Sequence, residues 1–199
     1  TLKIRVETCQ ECHTDVASQE DLVNVRMNGS LEDYDGDGDV TEGIAGEIST
    51  LQEMLLLAIQ TYGRDGGAPI AYDAAAYPYF FNDANDNGVV DPEELEAENA
   101  GYASWTGRLL KAAYNYQLSV KDPGAFAHNA KYIIQLLSDS IADLNTVIST
   151  PVDLAAAHRI DAGHFAATEM AFRDWDAEGE VPATCSRCHS SKGLPLFIK

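Results

Sequence analysis

The chain has 199 residues, 32 acidic against 13 basic, for a formal net charge of −19. So acidic a surface repels phosphate backbones and anionic lipid, which argues against nucleic acid and membrane surfaces as partners. That length allows one large domain or two small ones, the apolar share of 45% is ordinary for a globular protein, and no stretch reaches the roughly 18 consecutive apolar residues of a membrane span. The start at Thr1-Leu2-Lys3, without Met or leader, is read as that of a mature or excised chain.

Residues 1–8 alternate, with Leu2, Ile4 and Val6 on one face and Lys3, Arg5 and Glu7 on the other, which predicts a half-buried strand. Cys9-Gln10-Glu11-Cys12-His13 follows, and its pattern returns as Cys185-Ser186-Arg187-Cys188-His189. C-x-x-C-H is the attachment signature of a c-type haem: two thiols three positions apart bond the two vinyl groups, and the adjoining His sits under the iron. A redox C-x-x-C pair, two disulfides or a zinc site are the competing readings. Two matches that use all four cysteines of the chain favour haem over these. The expectation is two c-type haems, on Cys9 and Cys12 and on Cys185 and Cys188, with His13 and His189 as proximal ligands. Residues 14–32 are polar and weakly periodic, read as loop with a short helix.

Asp33-Tyr34-Asp35-Gly36-Asp37-Gly38-Asp39 has the D-x-D-x-D-G opening of an EF-hand-type calcium loop. Asp33, Asp35 and Asp37 would converge on one cation together with Asp39, and Gly38 permits the sharp turn. Ile44 stands where the bidentate Glu of position twelve belongs, so Glu42 or, preferably, Glu47 would close the shell of a loop over 33–47. A solvated acidic turn is the alternative. Ser49-Thr50-Leu51-Gln52 reads as a capping box opening a helix to about Tyr62, with Leu51, Met54, Leu55 and Ile59 on one stripe. Residues 63–81, rich in Gly, Ala, Pro and Tyr, are expected as a long loop.

The stretch 83–94 is the fuller calcium loop. Asp83, Asn85 and Asn87 occupy positions one, three and five, Gly88 six, and Val89 offers its carbonyl at seven; Asp91 stands at nine and Glu94 at twelve. Asp91-Pro92 also opens a helix, expected to reach about Val120 with breaks near Gly101 or Gly107, until Asp122-Pro123-Gly124 stops it. The next helix, about Ala125 to Thr150, carries Ile134, Leu137, Ile141, Leu144 and Ile148 at alternating spacing. A last helix is expected from Pro151 towards Trp175, making 95–176 a helical bundle. The tail 194–198 is strand-like. The chain as a whole, 1–199, is expected as one mainly α domain with long loops, short terminal β-strands and two EF-hand-like calcium loops.

Three of the five histidines remain for the distal positions: His128, His158 and His164. A second axial imidazole closes a low-spin haem iron to substrate. On a continuous helix His158 and His164 would stand about 240° apart, so they would serve different irons. Asp122-Pro123-Gly124-Ala125-Phe126-Ala127-His128-Asn129 is similar to the Pro-Gly-x-x-x-His-Asn segment of octahaem and nitrite-reductase-like cytochromes. Ala162-Gly163-His164-Phe165 through Trp175, and then 185–190, resembles a recurrent stretch of large multihaem cytochromes. The resemblance covers roughly the last 80 residues and both haem motifs. It implies a bacterial multihaem c-type cytochrome with distal ligation by His128 and His164. The catalytic haem of the enzymes in that group, often with a Lys ligand, has no counterpart here.

These expectations converge on electron transfer through two bis-His haems, with two calcium ions, and not on an enzyme. A redox enzyme with one open iron, a calcium-dependent adhesive module carrying haem, and a fragment of a larger multihaem cytochrome are the alternatives. Covalent haem attachment and loop calcium sites imply an extracytoplasmic location. A redox partner protein or like subunits are the expected partners. With strands and haem motifs at both ends, a head-to-tail filament of the chain is one version.

Overall fold

The computed structural model describes residues 5–10, 14–26 and 32–160. Contacts gather the described residues into two units. The first holds 5–10, 14–26, 32, 39–46 and 160; the second holds 33–38 and 47–159.

In the first unit, Val6–Cys9 is a helical turn, α1, closed by Gln10 N–H on the Val6 carbonyl at 3.0 Å. The strand expected over 1–8 is thus corrected for 6–8; 1–4 lie outside the described residues. A strand must find a neighbour for its amides, whereas a helical turn satisfies them locally. A short 3-10 turn spans Glu20–Asn24. Beyond it, Ile44 N–H donates to the Val25 carbonyl at 3.3 Å, and Arg26 donates to the carbonyls of Glu32 and Glu42.

Helix α2 runs Ile44–Asp65, starting five residues before the capping box at Ser49. Ile44 and Ile48 extend the apolar stripe of Leu51, Leu55, Ala58 and Ile59 backwards, and all six are buried. Burying a side chain of Leu or Ile size is worth about 1.5–3 kcal/mol, more than a capping box contributes. The stretch expected as a long loop contains a hairpin, β1 Ile70–Tyr72 and β2 Phe80–Asn82, antiparallel with Ala71 opposite Phe81. Three-residue strands are too short to show alternation. Aromatic packing holds them: Tyr72 lies 4.9 Å from both Phe80 and Tyr116, and Phe80 lies 5.6 Å from Trp105.

Helix α3 is only Pro92–Leu95, started by Asp91 and its reciprocal bond with Glu94. It ends there because the following chain serves the hairpin: Asn82 N–H donates to the Ala100 carbonyl and Tyr102 N–H to the Phe80 carbonyl. The helix expected across 92–120 is therefore two, and α4 begins afresh at Gly107–Lys121, capped by Thr106, whose hydroxyl accepts from Leu109 N at 3.1 Å. Helices α5 Ala125–His128 and α6 Ala130–Asn145 divide the next expected helix at Asn129. α4 packs on α6, with Leu109, Ala112 and Ala113 buried on the one and Ile134, Leu137, Ile141 and Leu144 on the other, and Asn115 donates across to Ser140 Oγ at 2.9 Å. Within 151–160 there is no helix, which corrects that part of the last one expected. Side chains hold this segment instead. Asn145 accepts from Val152 N (2.9 Å) and donates to its carbonyl (2.8 Å), and Arg159 forks onto Asp139 at 2.6 and 2.8 Å.

Candidate metal centres

The first acidic loop, 33–38, is a tight turn with positive φ at Gly36 (+86°) and Gly38 (+95°). Asp33 draws it in: its carboxylate accepts from Gly36 N at 2.6 Å and Gly38 N at 2.8 Å. Asp35 Oδ1 accepts from Asp37 N at 3.0 Å. One carboxylate oxygen each of Asp33, Asp35 and Asp37 lies within 4.8 Å of the others. Glu47, fully buried on α2, turns its Oε2 to the amides of Tyr34 (2.8 Å) and Asp35 (3.1 Å). Asp35 is only 4% exposed, and its Oδ2 is buried with no hydrogen-bond partner.

The charges follow this geometry. Burial pushes the Asp35 carboxyl up, and the neighbouring charge of Asp37 adds to it, against the hydrogen bonds that pull it down. Burial acts on Asp33 too, but there the Gly36 and Gly38 amides outweigh it and the net direction is down. A buried oxygen without a donor among converging carboxylates fits a hard cation such as Ca²⁺, which takes oxygen ligands alone. Asp39 belongs to the first unit, where its Oδ1 accepts from Thr41 N (2.8 Å) and Oγ1 (2.6 Å).

The second loop, 83–94, repeats the scaffold. Asp83 Oδ2 accepts from Gly88 N at 2.7 Å, as Asp33 does from Gly38. Glu94 Oε1 accepts from the amide of the loop's second residue, Ala84, at 2.6 Å, the counterpart of Glu47 on Tyr34. Its donors differ. Asn85 and Asn87 give their NH₂ groups to Asp91 Oδ2 at 2.8 and 2.9 Å, and Glu94 Oε2 accepts from Asp91 N at 3.0 Å. Val89 stands 60% exposed. Helix α2 reaches this loop as well. Gln60 donates to the Gly88 carbonyl at 2.8 Å, and Arg64 Nε meets both oxygens of Asp86.

Of the expected haem ligands, Cys12, His13, His164, Cys185, Cys188 and His189 lie outside the described residues, as do the side chains of Cys9 and His128. The backbone of Cys9 closes α1, and that of His128 closes α5. His158 is described: it is exposed, its main-chain N–H donates to the Asp33 carbonyl at 2.8 Å, and its Nδ1 lies 2.9 Å from the same oxygen. Spacing in the chain could not reveal this contact, because 125 residues separate the partners. Gly36 is the one local hint, since a Cβ there would meet Ala157 N at 2.9 Å.

Neither a protein-family model nor a solved structure matches the chain. Curated relatives do. The C-type polyheme cytochrome OmcB of Geobacter sulfurreducens is 37% identical over 101 residues, 44% of this chain and 13% of that protein. The same match is found in a second strain, and OmcC of that organism is 36% identical over 101 residues. The chain spans about an eighth of the length of these relatives, 13% in each case. Over the matched span, it is homologous to multihaem c-type cytochromes.

Proposed function

We propose that the chain is an electron carrier, not an enzyme, with two covalently attached haems each held between two imidazoles. The observation that carries this is the pair of C-x-x-C-H motifs together with homology to proteins named as polyheme cytochromes. Haem supplies the one-electron couple. The protein's part is to hold both axial positions, so that an electron passes and no substrate binds iron. His13 and His189 are the proximal ligands, with His128, His158 and His164 for the distal positions. His158 suits the task chemically: a Nδ1 engaged by a main-chain carbonyl is the usual second partner of a metal-ligating histidine. Calcium in the two loops and an extracytoplasmic location belong to the same reading, supported for the first loop by the orphaned Asp35 oxygen. The redox partner is another protein or a like subunit. A head-to-tail filament of the chain is one version of the like-subunit partner.

The test is expression in a host that matures c-type cytochromes. Intact mass should show two covalent haems, and both irons should be low-spin and inert to CO. A five-coordinate, CO-reactive iron would reject the bis-His carrier in favour of a redox enzyme. Mass without haem would reject the whole reading.

A further inference from the structure

Burial does little to hold the segment 151–159. None of its residues is buried, and only Val152, Leu154 and Ala157 are half-buried. Polar contacts therefore decide where it lies. At one end the Asn145 side chain takes both main-chain groups of Val152. At the other, Arg159 meets Asp139 in an ion pair whose side chains are 50% and 58% exposed, a surface pair of the kind that contributes little. Between them the first acidic loop supplies the hold. The Asp33 carbonyl accepts the main-chain N–H of His158 at 2.8 Å. Three residues on, Gly36 lies so close to the segment that a Cβ there would stand 2.9 Å from Ala157 N and 3.1 Å from Ala156 C.

The carboxylates shape that same turn. Asp33 accepts from Gly36 N and Gly38 N through its side chain, and one oxygen each of Asp33, Asp35 and Asp37 lies within 4.8 Å of the others. Acidic residues in a cluster do not make a site by themselves. Here a second observation points to a ligand: Asp35 is 4% exposed, and its Oδ2 is buried with no hydrogen-bond partner. A hard divalent cation meets both conditions, since it coordinates carboxylate oxygens and cancels their mutual repulsion.

We infer that a divalent cation at 33–38 is the clasp that docks the segment 151–159, through the main-chain bond from His158 to Asp33 and the fit of Ala157 on Gly36. This rests on the calcium reading above and on neither haem. With the cation bound, Asp33 is fixed at its carboxylate and at its carbonyl, and the turn keeps the shape that Ala157 fits. Without it, the three carboxylates repel, the turn loosens, and the segment loses contacts that burial does not replace. Docking and cation binding are thus linked, and each strengthens the other by the same factor.

The experiment takes the full haem-loaded chain, strips it with chelator and titrates it with CaCl₂, with calorimetry for binding and hydrogen exchange resolved at single amides. Exchange at the His158 amide should slow by about 5-fold or more with calcium, the net worth of one hydrogen bond. The amides of Leu137 and Ile141 on α6 should slow by a smaller factor, which separates a local clasp from general stabilisation. Asp35→Asn should remove one binding event and leave the His158 amide indifferent to calcium. His158→Pro, which has no N–H to give, should weaken calcium at this loop by the same factor, and His158→Ala, which keeps the N–H, should weaken it less. Exchange in the unmodified protein reads the same linkage should a variant fail to fold. The inference is overturned if calcium binds, and Asp35→Asn abolishes that binding, while the His158 amide stays indifferent or slows no more than α6. Equal calcium affinities of the proline and alanine variants overturn it too, and in both cases the calcium reading stands. If no calcium binds at this loop, the clasp and the calcium reading there fall together, and the haem carrier is untouched.

Discussion

In the loop at 83–94, both carboxylate oxygens of Asp83 and of Glu94 accept from amide N–H groups, and the NH₂ groups of Asn85 and Asn87 donate to Asp91. In the loop at 33–38, the same scaffold carries aspartates at those two positions, and a buried oxygen of Asp35 has no donor. The second loop matches the EF-hand pattern position by position, and its own donors satisfy it. The first departs from the pattern at position twelve, yet it has the stronger demand for a cation. Carboxylates only accept, whereas carboxamides also donate. On the proposed calcium reading, a cation would be one partner among several at 83–94, and would supply the partner that the Asp35 oxygen lacks at 33–38.

Four substitutions would break or sharpen this contrast. The largest effect is expected from Glu47→Ala. It strips the acceptor from two amides of the first loop beside a fully buried site, at about 1–3 kcal/mol each. Denaturant unfolding in calcium would measure it, and a loss under 1 kcal/mol would show that Glu47 is not what closes this loop. Asp35→Asn comes next. Calcium affinity at one site should fall on the order of 100-fold by calorimetry, the upper end for groups that tune a metal site, while the calcium-free protein melts higher because a buried charge is gone. A calcium-free form that melts lower would mean the Asp35 charge is already compensated. Glu94→Ala should cost about 1–2 kcal/mol even without calcium, since it removes the reciprocal cap of α3. If that loss appears only in calcium, the second loop is as cation-dependent as the first. Arg64→Ala is the smallest: its pair with Asp86 is 47% and 39% exposed, so a shift beyond about 1 kcal/mol in either condition would be unexpected.

The α6 stripe was readable because Ile134, Leu137, Ile141 and Leu144 are all buried as their spacing requires, and Ile148, just past the helix end, is buried too. Asp91-Pro92 likewise marked a true helix start. Its length was not readable: the chain leaves the helix after Leu95 to pair Ala100 and Tyr102 with β2, a demand set by the hairpin. That hairpin escaped because three residues per strand carry no period, and its stability lies in aromatic contacts reaching to Tyr116 on α4. The run 151–160 was expected as the start of a helix from Pro151. What holds it are Asn145, Asp139 and the Asp33 carbonyl, none of them its neighbours in the chain.

The sequence by itself determined what depends on spacing within a few residues: the two C-x-x-C-H pentads, the acidic loops with their glycines, and the apolar stripes of the helices. Such patterns act through bonds and turns that close locally, so they can be read without a partner in view. The tertiary structure alone decided that Glu47 reaches the Tyr34 and Asp35 amides, and that His158 comes to rest on Asp33 across 125 residues. Those contacts exist because packing brings distant segments together, and a hydrogen bond depends on distance in space and not on distance along the chain.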